Sequence, residues 1–266
     1  MPELPEIEVA RKSLTPCVTG RTISEVLVGR TQAIRNPLSD DKAFAVTLNR
    51  HRIEAIERWG KTLVFRLDGD MAVIFHFKLG ANVSCHKQHV PETDGVAWNF
   101  SDGTALEFCD LALSEFHLAH NSELDHLPVL KHGADPLARS FNHELLKDIL
   151  SPRKQVKTAL TDQDVISGIG NTYADEILWH TRINPFRKVA ELKENDFREL
   201  TRQIKSTLRE SIRRGGEESF KNARGRRGRY QTKVHGREGE PCLRDGAKIK
   251  AAKRGRRTFW CPKCQK

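Results

Sequence analysis

The chain has 266 residues, a length that suits one large domain or two modest ones, each with a buried core. No stretch has the apolar length of a membrane span, and the acidic start is unlike a signal peptide, so we expect neither a membrane anchor nor a secretory leader. The net charge is +10, yet residues 201–266 hold 21 Lys and Arg against 6 Asp and Glu, which directs polyanions to the C-terminal part.

The first half of the chain is predicted to be one helix followed by antiparallel strands. In LPEIEVARKSL, apolar residues recur at helical spacing from Leu4 to Leu14. Two pairs of apolar runs follow, KTLVFRLDGDMAVIFHF and VAWNFSDGTALEF, each with an Asp-Gly turn in its middle. Such pairs are typical of β-hairpins, so we expect an antiparallel β-domain with a leading helix.

The second half is predicted to be helical, with a small unit at its end. Residues 121–140 mix Pro, Gly and Asp and favour a linker, and short helices are predicted in NHELLKDIL, RKQVKTALTD and TYADEILWHT. A longer helix should follow, capped by Asp196 with Glu199 and ended by Gly215-Gly216. The basic stretch 221–230 is expected to be a loop. A disordered basic tail is the alternative for the last 32 residues, and their clustered cysteines and aromatic residues argue against it.

The C-terminal cysteines have the spacing of a metal site with one altered position. The pattern Cys242-x2-Asp245-x15-Cys261-x2-Cys264 would match a two-knuckle zinc site if residue 245 were cysteine. Because a carboxylate also binds Zn2+, we expect one Zn2+ per chain, held more weakly than by four thiolates. Two alternatives stay open: His235 as a substitute ligand, and a unit without metal in which Asp245 only forms a turn. The other three cysteines are isolated, which favours a reducing, intracellular setting.

The turn Gly168-Ile169-Gly170-Asn171 precedes a predicted helix. Two glycines allow a partner to approach the backbone closely, and Asn171 with the amides of the helix start suits a phosphate. An ordinary connection between two helices is the alternative, and it would be the better interpretation without the basic C-terminal part.

The start MPELPEIE offers an unusual nucleophile. Removal of the initiator Met, usual before proline, would leave Pro2 as a secondary amine. An α-amino group titrates near ~8 against ~10.4 for lysine, so part of it is unprotonated at neutral pH. Such an amine can form an iminium with a sugar aldehyde, and Glu3 can relay protons. Taken locally, a helix start rich in proline and acidic residues explains the segment better.

Four segments change that balance when they are taken together. PELPEIE, the lysine of RWGK, KTALTDQDVISGIGNTYADEILW and TFWCPKCQK resemble, in order and spacing, the formamidopyrimidine-DNA glycosylase/endonuclease VIII family, and its formamidopyrimidine branch most closely. The resemblance spans nearly the whole chain. It implies an α+β multidomain fold with an N-terminal antiparallel β-sandwich and leading helix (1–125), a helix–two-turn–helix DNA-binding domain (126–225) and a C-terminal zinc-ribbon-like β-hairpin (234–266).

The resemblance also implies site residues. Pro2 would be the Schiff-base nucleophile, Glu3 the catalytic acid, and Lys61 the hairpin lysine that contacts the backbone near the lesion. Further DNA-contacting residues would be the second N-terminal glutamate, two phosphate-gripping residues and the zinc-finger arginine: Glu6, Lys157, Asn171 and Arg256. The implied metal ligands are Cys242, Asp245, Cys261 and Cys264. The implied chemistry is base excision, which requires the base to leave the stack, followed by β- and δ-elimination at the abasic sugar.

The sequence departs from the family where a damaged base is recognised. Leu79 stands in place of the wedge methionine, and residues 111–115, after a retained Asp110, lack the expected arginines and phenylalanine. Phe116 is displaced by a few residues from the family's position. The loop after Gly216, which caps an oxidised purine in the family, is shorter and strongly basic. With the altered metal ligand these are four losses, so we expect weakened or altered base excision with DNA binding and abasic-site cleavage retained.

Three functions compete at this point. The leading one is a DNA repair enzyme, a monomeric glycosylase-like lyase that acts on damaged or abasic double-stranded DNA, without a membrane, in the bacterial cytoplasm at the nucleoid. The second is a non-catalytic paralogue that binds abasic, nicked or distorted DNA. The third, a zinc-ribbon nucleic-acid adaptor with an inert β-domain, leaves the N-terminal motif unexplained.

Overall fold

The structure is a computed structural model that describes residues 1–35, 40–254 and 256–266. The chain divides into two compact units. The first contains residues 1–131 and 218–228, and the second contains residues 132–217 and 229–266. None of the helices within the described ranges has the length and apolar character needed to cross a membrane.

The first unit is built from antiparallel strands. Its helices are α1 (Leu4–Val18) and α2 (Asp41–Leu48). Its strands are β1 (Ile23–Val28), β2 (Ile53–Trp59), β3 (Thr62–Leu67), β4 (Met71–His76), β5 (Asn82–His86), β6 (Val96–Phe100), β7 (Ala105–Cys109) and β8 (Glu115–His120). They form two four-stranded sheets in the orders β1-β6-β7-β5 and β2-β3-β4-β8. The predicted β-sandwich, its leading helix and both hairpins, β3–β4 and β6–β7, are confirmed.

Aromatic side chains join the two sheets in one core. The ring of Phe65 on β3 lies 5.1 Å from that of Trp98 on β6, and the ring of Phe75 on β4 lies 4.9 Å from that of Phe108 on β7. Phe116 on β8 is fully buried in the same cluster, with its ring 4.6 Å from Phe75. Burying a side chain of this size stabilises the fold by about 1.5–3 kcal/mol. Phe116 is therefore a core residue, and its side chain is not exposed for contact with DNA.

The basic loop is folded onto the β-sandwich. Its segment 218–228 belongs to the first unit, and Ala223 is buried in the core cluster there. The backbone N–H of Cys85 donates to the carbonyl of Ala223 at 2.9 Å, and the N–H of Ala223 donates to the Ser13 hydroxyl at 3.2 Å. The prediction of a loop is confirmed, and contacts with α1 and β5 fix its place.

The second unit is helical with a C-terminal hairpin. Its helices are α3 (His143–Ile149), α4 (Val156–Leu160), α5 (Asn171–Thr181) and α6 (Glu194–Arg214), and its strands are β9 (Lys250–Arg254) and β10 (Arg256–Trp260). The predicted linker 121–140 contains two short 3-10 helices, Asn121–His126 and Pro128–Leu130, and the boundary between the units falls within it.

Helix α6 begins earlier than its sequence pattern indicates. Lys193 is the residue before its first turn, and Asp196, in the third position, accepts the Lys193 N–H at 2.9 Å. Glu199 takes no part in this cap and instead accepts hydrogen bonds from Arg202 one turn later. The helix ends at Gly215, whose φ of +81° suits glycine, as predicted.

Candidate active site and nucleic-acid interface

The N-terminal segment is held by a helix cap. Glu3 precedes α1, and the Glu6 carboxylate accepts the Glu3 N–H at 3.0 Å, which is half of a capping box. Both glutamates are buried, at 4% and 3% exposure, whereas Pro2 is half-buried and Met1 is 56% exposed. The cap therefore fixes the backbone next to Pro2 and leaves Met1 accessible for removal. Glu6 has a structural role here that the sequence motif alone does not indicate.

Lys61 lies in the turn between β2 and β3. Trp59 pairs with Thr62 across this turn, Gly60 has a φ of +59°, and the Lys61 side chain is buried. Helix α1 packs against β2 and β3, so the elements that carry Pro2, Glu3 and Lys61 adjoin each other.

An ion pair ties α1 to the strand that leads to Lys61. Oε2 of Glu8 on α1 lies 3.4 Å from Nε of Arg58 on β2, and Glu8 also accepts two hydrogen bonds from Arg11. Burial alone would raise the pKa of Glu8, but the hydrogen bond from Arg11 and the charges of both arginines outweigh it and hold that pKa below its ordinary value.

Lys157 on α4 is bonded within the second unit. Its Nζ lies 2.7 Å from Oδ1 of Asp175 and donates to the carbonyl of Arg257 at 3.1 Å and to the Thr258 hydroxyl at 3.0 Å. The side chain is 8% exposed. An ammonium group can donate to all three of these acceptors, so Lys157 links Asp175 on α5 to strand β10.

Two acidic residues of α5 organise this unit, and the sequence patterns gave neither a role. Asp175 is fully buried and also contacts Nδ1 of His235 at 2.8 Å and the N–H of Phe259 at 3.2 Å. Glu176, also fully buried, accepts three backbone N–H groups, those of residues 233–235, at 2.8–3.0 Å. Burial raises the pKa of Glu176, and these hydrogen bonds act against that rise. The only signal in the sequence is an acidic pair inside an apolar helix, YADEILW.

Arg256 faces a cleft in the second unit. It is the first residue of β10 and is exposed. The cleft has a volume of about 340 Å³ and is lined by Arg256, Lys157, Thr158, Thr258 and residues around them. Exposed guanidinium and hydroxyl groups at a concave surface suit a phosphate backbone. The structure thus places two of the predicted phosphate-binding residues, Lys157 and Arg256, at one cleft.

Asn171 is the first residue of α5, at the end of the predicted glycine turn. Gly168 has a φ of +86°, and Gln163 braces the turn by accepting the N–H of Gly168 and donating to the carbonyl of Ile169. Oδ1 of Asn171 is buried and has no hydrogen-bond partner among the described residues. Asn171 does not line the cleft that holds Arg256.

The C-terminal cysteines and Asp245 form one cluster whose geometry fits a tetrahedral metal. One ligand atom from each of Cys242, Asp245, Cys261 and Cys264 lies within 4.8 Å of the others. The Cys242 and Cys264 sulfurs are 4.0 Å apart, and both Asp245 oxygens are 3.4 Å from the Cys261 sulfur. A zinc–sulfur distance of about 2.3 Å in a tetrahedron gives an edge of about 3.8 Å, so the donor set suits Zn2+.

Hydrogen bonds around this cluster support a metal-binding role. Trp179 donates its indole N–H to the Cys242 sulfur at 3.3 Å, and Arg244 donates to the Cys264 sulfur at 3.2 Å. Donors of this kind orient sulfur ligands and stabilise their charge. His235 bonds to Asp175 and is not a member of the cluster, so the alternative of His235 as a ligand is wrong.

Comparison with known proteins identifies the family of both parts of the chain. The family model of the formamidopyrimidine-DNA glycosylase N-terminal domain matches residues 1–112, and that of its H2TH domain matches residues 132–222. The formamidopyrimidine-DNA glycosylases of Geobacillus kaustophilus and Bacillus licheniformis are 35% and 36% identical to this chain, with all of both chains covered.

Solved structures give the same result. Lactococcus lactis Fpg in complex with DNA containing an abasic site has a TM-score of 0.89 and 27% identity over 99% of each chain. The Thermus thermophilus protein has a TM-score of 0.83 and 30% identity over 99% of this chain and 98% of its own. The chain therefore belongs to the formamidopyrimidine-DNA glycosylase family of DNA repair enzymes.

Proposed function

We propose that the chain binds double-stranded DNA with damaged bases or abasic sites and cleaves abasic sites through a Schiff base on Pro2. The observation that carries this proposal is the capped start of α1, where Glu3 is buried beside Pro2 and Glu6 holds the Glu3 backbone. The same reaction class is supported by relatives that align with this chain from end to end.

The proposed reaction starts when Met1 has been removed. The Pro2 amine adds to C1′ of the ring-opened abasic deoxyribose, water leaves, and an iminium forms. Loss of a C2′ proton to a base then breaks the bond between C3′ and its oxygen, and the 3′ phosphate departs as the leaving group. Glu3 is the residue we assign to proton transfer, and Lys61 is assigned to the DNA backbone near the reacting sugar.

We assign contact with the phosphate backbone of the DNA to the second unit. Arg256 is exposed at the cleft and is the proposed direct donor to phosphate oxygens. Lys157 supports it by bonding to the backbone of the next residue, Arg257, and to Thr258. Asn171 and the start of α5 are proposed as a further phosphate contact, since an α-helix start carries partial positive charge.

Base excision is proposed to be weaker than abasic-site cleavage. Residues 111–115 contain no arginine or aromatic side chain, and Phe116 is used in the core. The short basic loop 218–228 is fixed on α1 and β5 through Ala223, which limits its use as a cap over an extruded purine. Cleavage of an abasic sugar needs the amine and the phosphate contacts but no base pocket.

We also propose that one Zn2+ is held by Cys242, Asp245, Cys261 and Cys264, where its role is to fix the C-terminal unit rather than to act on DNA. The chain is proposed to work as a monomer in the bacterial cytoplasm, on the nucleoid. The bacterial origin of the relatives and the DNA in the solved complexes support this proposed location.

Borohydride trapping on an abasic duplex tests the reaction, because reduction of the iminium leaves a covalent protein–DNA adduct. We expect an adduct with the wild-type chain, none with Pro2→Gly, and an undiminished one with Pro91→Gly, an exposed proline of the same unit. Mass spectrometry of the N-terminus establishes that Pro2 is the first residue. No adduct from such a preparation, together with salt-sensitive duplex binding, would identify the non-catalytic paralogue instead.

A further inference from the structure

Two of the cysteines outside the metal cluster meet in the β-sandwich. Cys17 lies in the last turn of α1 and Cys85 lies on β5, and these two elements pack against each other. Both side chains contact the same core cluster. Their thiols form a hydrogen bond with each other, and both cysteines are free in this structure. Two cysteines that are isolated in the sequence are therefore neighbours in the fold.

A ring of hydrogen bonds passes from this thiol pair through the basic segment 218–228. The Cys17 thiol donates to the carbonyl of Ser13, one turn earlier on α1, at 3.3 Å. The Ser13 hydroxyl accepts the N–H of Ala223 at 3.2 Å, and the Ala223 carbonyl accepts the N–H of Cys85 at 2.9 Å. The thiol pair thus joins the same two elements that hold Ala223 in place.

The surroundings distinguish the two thiols. Burial, the hydrogen bond to Cys17 and the charge of an ionised Cys17 raise the pKa of Cys85 above its ordinary value, and the positive charges of Arg224 and Arg21 act against this rise. Cys85 therefore keeps its proton at neutral pH and can donate it to the Cys17 sulfur. Such a donor stabilises a thiolate, which is the form of cysteine that reacts with oxidants.

Both cysteines are also within reach of a small oxidant. Each side chain is half-buried, so part of its surface meets solvent. A molecule of the size of hydrogen peroxide needs no larger opening than this.

We propose that Cys17 and Cys85 are a redox modification site, at which peroxide forms a disulfide that locks the segment 218–228 onto the β-sandwich. The site lies outside the DNA chemistry proposed above and does not depend on Pro2. The disulfide links α1 to β5 and so fixes the two hydrogen-bond partners of Ala223 relative to each other.

The reaction proceeds in two steps. The ionised Cys17 sulfur attacks one peroxide oxygen, the O–O bond breaks, and the departing hydroxide takes up the proton that Cys17 released and becomes water. The Cys85 sulfur then attacks the sulfenic acid on Cys17. The S–S bond forms, the S–O bond breaks, and the hydroxide leaves with the Cys85 proton as a second water. Both sulfurs are oxidised, and one peroxide is reduced to two waters.

The test treats the full chain, prepared with zinc, with increasing hydrogen peroxide up to the concentration that begins to oxidise the cysteines of the metal cluster. Remaining thiols are alkylated, and peptide mass spectrometry identifies the joined cysteines. We expect a Cys17–Cys85 cross-link that dithiothreitol removes, with none in Cys17→Ser or Cys85→Ser. Cys109→Ser is the matched control, because Cys109 is another half-buried cysteine of the same unit, and it should keep the cross-link.

Two further measurements test the lock. Amide hydrogens of 218–228 should exchange about tenfold more slowly in the oxidised wild-type chain, a factor that corresponds to ~1.4 kcal/mol. The midpoint of thermal unfolding should rise by about 4 °C or more, because the disulfide closes a long loop of the unfolded chain. Peroxide should change neither quantity in Cys17→Ser or Cys85→Ser, and their unfolding under reducing conditions verifies that they fold.

Oxidation of Cys109 or of the metal cluster while Cys17 and Cys85 stay free would overturn the proposal. A cross-link that leaves the exchange of 218–228 at its rate in the reduced chain would contradict the lock. Identification of the cross-link in the wild-type chain needs neither serine variant. None of these readouts uses DNA, so a failure of borohydride trapping leaves them unaffected.

Discussion

The Nζ of Lys157 and Oδ1 of Asp175 are 2.7 Å apart, with 8% and 0% of the two side chains exposed. This buried pair joins α4 to α5. Both residues also form hydrogen bonds to β10: Lys157 donates to the Thr258 hydroxyl, and Asp175 accepts the N–H of Phe259. The strand that begins with Arg256 is thus held by one ion pair of neighbouring helices.

Removing one member of that pair should be costly. We expect Asp175→Asn to lower the free energy of unfolding by about 3–5 kcal/mol, because it leaves the buried ammonium uncompensated. Denaturant unfolding measures the change, with the exposed Asp164→Asn as the control, for which about 0.5 kcal/mol or less is expected. A change in Asp175→Asn as small as that in the control would contradict the role assigned to the pair.

Arg256 and Lys157 should respond differently to salt. Arg256→Gln is expected to weaken duplex binding and to reduce the slope of log affinity against log salt concentration by about 0.9, the value for one phosphate contact. Lys157→Met should weaken binding with little change of slope, because Asp175 already neutralises its charge. Titrations at several salt concentrations measure both, with Arg202→Gln on the exposed side of α6 as the control.

An Arg256→Gln slope equal to that of the wild-type chain would show that Arg256 does not meet a phosphate. A Lys157→Met slope reduced as much as that of Arg256→Gln would show that Lys157 contacts the backbone itself. Unchanged duplex affinity in both variants would show that this cleft is not part of the DNA interface.

The metal cluster should bind one Zn2+ per chain and lose it more readily than a four-cysteine site. We expect Asp245→Cys to retain the metal at chelator concentrations that strip the wild-type chain, and Cys261→Ser to lose it. Elemental analysis after dialysis measures the zinc content, with Cys17→Ser, a free cysteine outside the cluster, as the control. Folded wild-type protein prepared with zinc but containing none would disprove the site.

Acid should loosen the contact between α1 and β2. Since the pKa of Glu8 is lowered in the folded state, its stabilising effect is present above its ordinary value of 4.5 and is lost as the pH falls through the lowered value. Unfolding free energies measured from about pH 6 to about pH 3 should fall less steeply for Glu8→Gln than for the wild-type chain. Glu54→Gln, at an exposed position of β2, should follow the wild-type curve.

The local part of this structure was predictable from the sequence. The Asp-Gly turns predicted both hairpins, the spacing of Cys242, Asp245, Cys261 and Cys264 predicted that these four residues cluster, and Gly215 predicted the end of α6. Each of these patterns depends on residues close in sequence or on a side chain with one dominant use.

The rest depends on contacts between distant residues. An acidic pair in a helix usually faces water, so Asp175 and Glu176 gave no sign that their partners lie in the C-terminal segment. From the sequence, Phe116 could be a DNA-contacting residue displaced along the chain, but its ring packs against Phe75 in the core. His235 could be a metal ligand, but its ring nitrogen contacts the Asp175 carboxylate instead.

The return of residues 218–228 to the β-sandwich sets an order for synthesis. Ser13 and Cys85 both form hydrogen bonds with the backbone of Ala223, which leaves the ribosome only after α3 to α6 have been made. The nascent N-terminal unit must therefore wait, with part of its surface uncovered, while residues 132–217 of its neighbour emerge. Its final closure and the completion of the helical unit are events of the same late stage of translation.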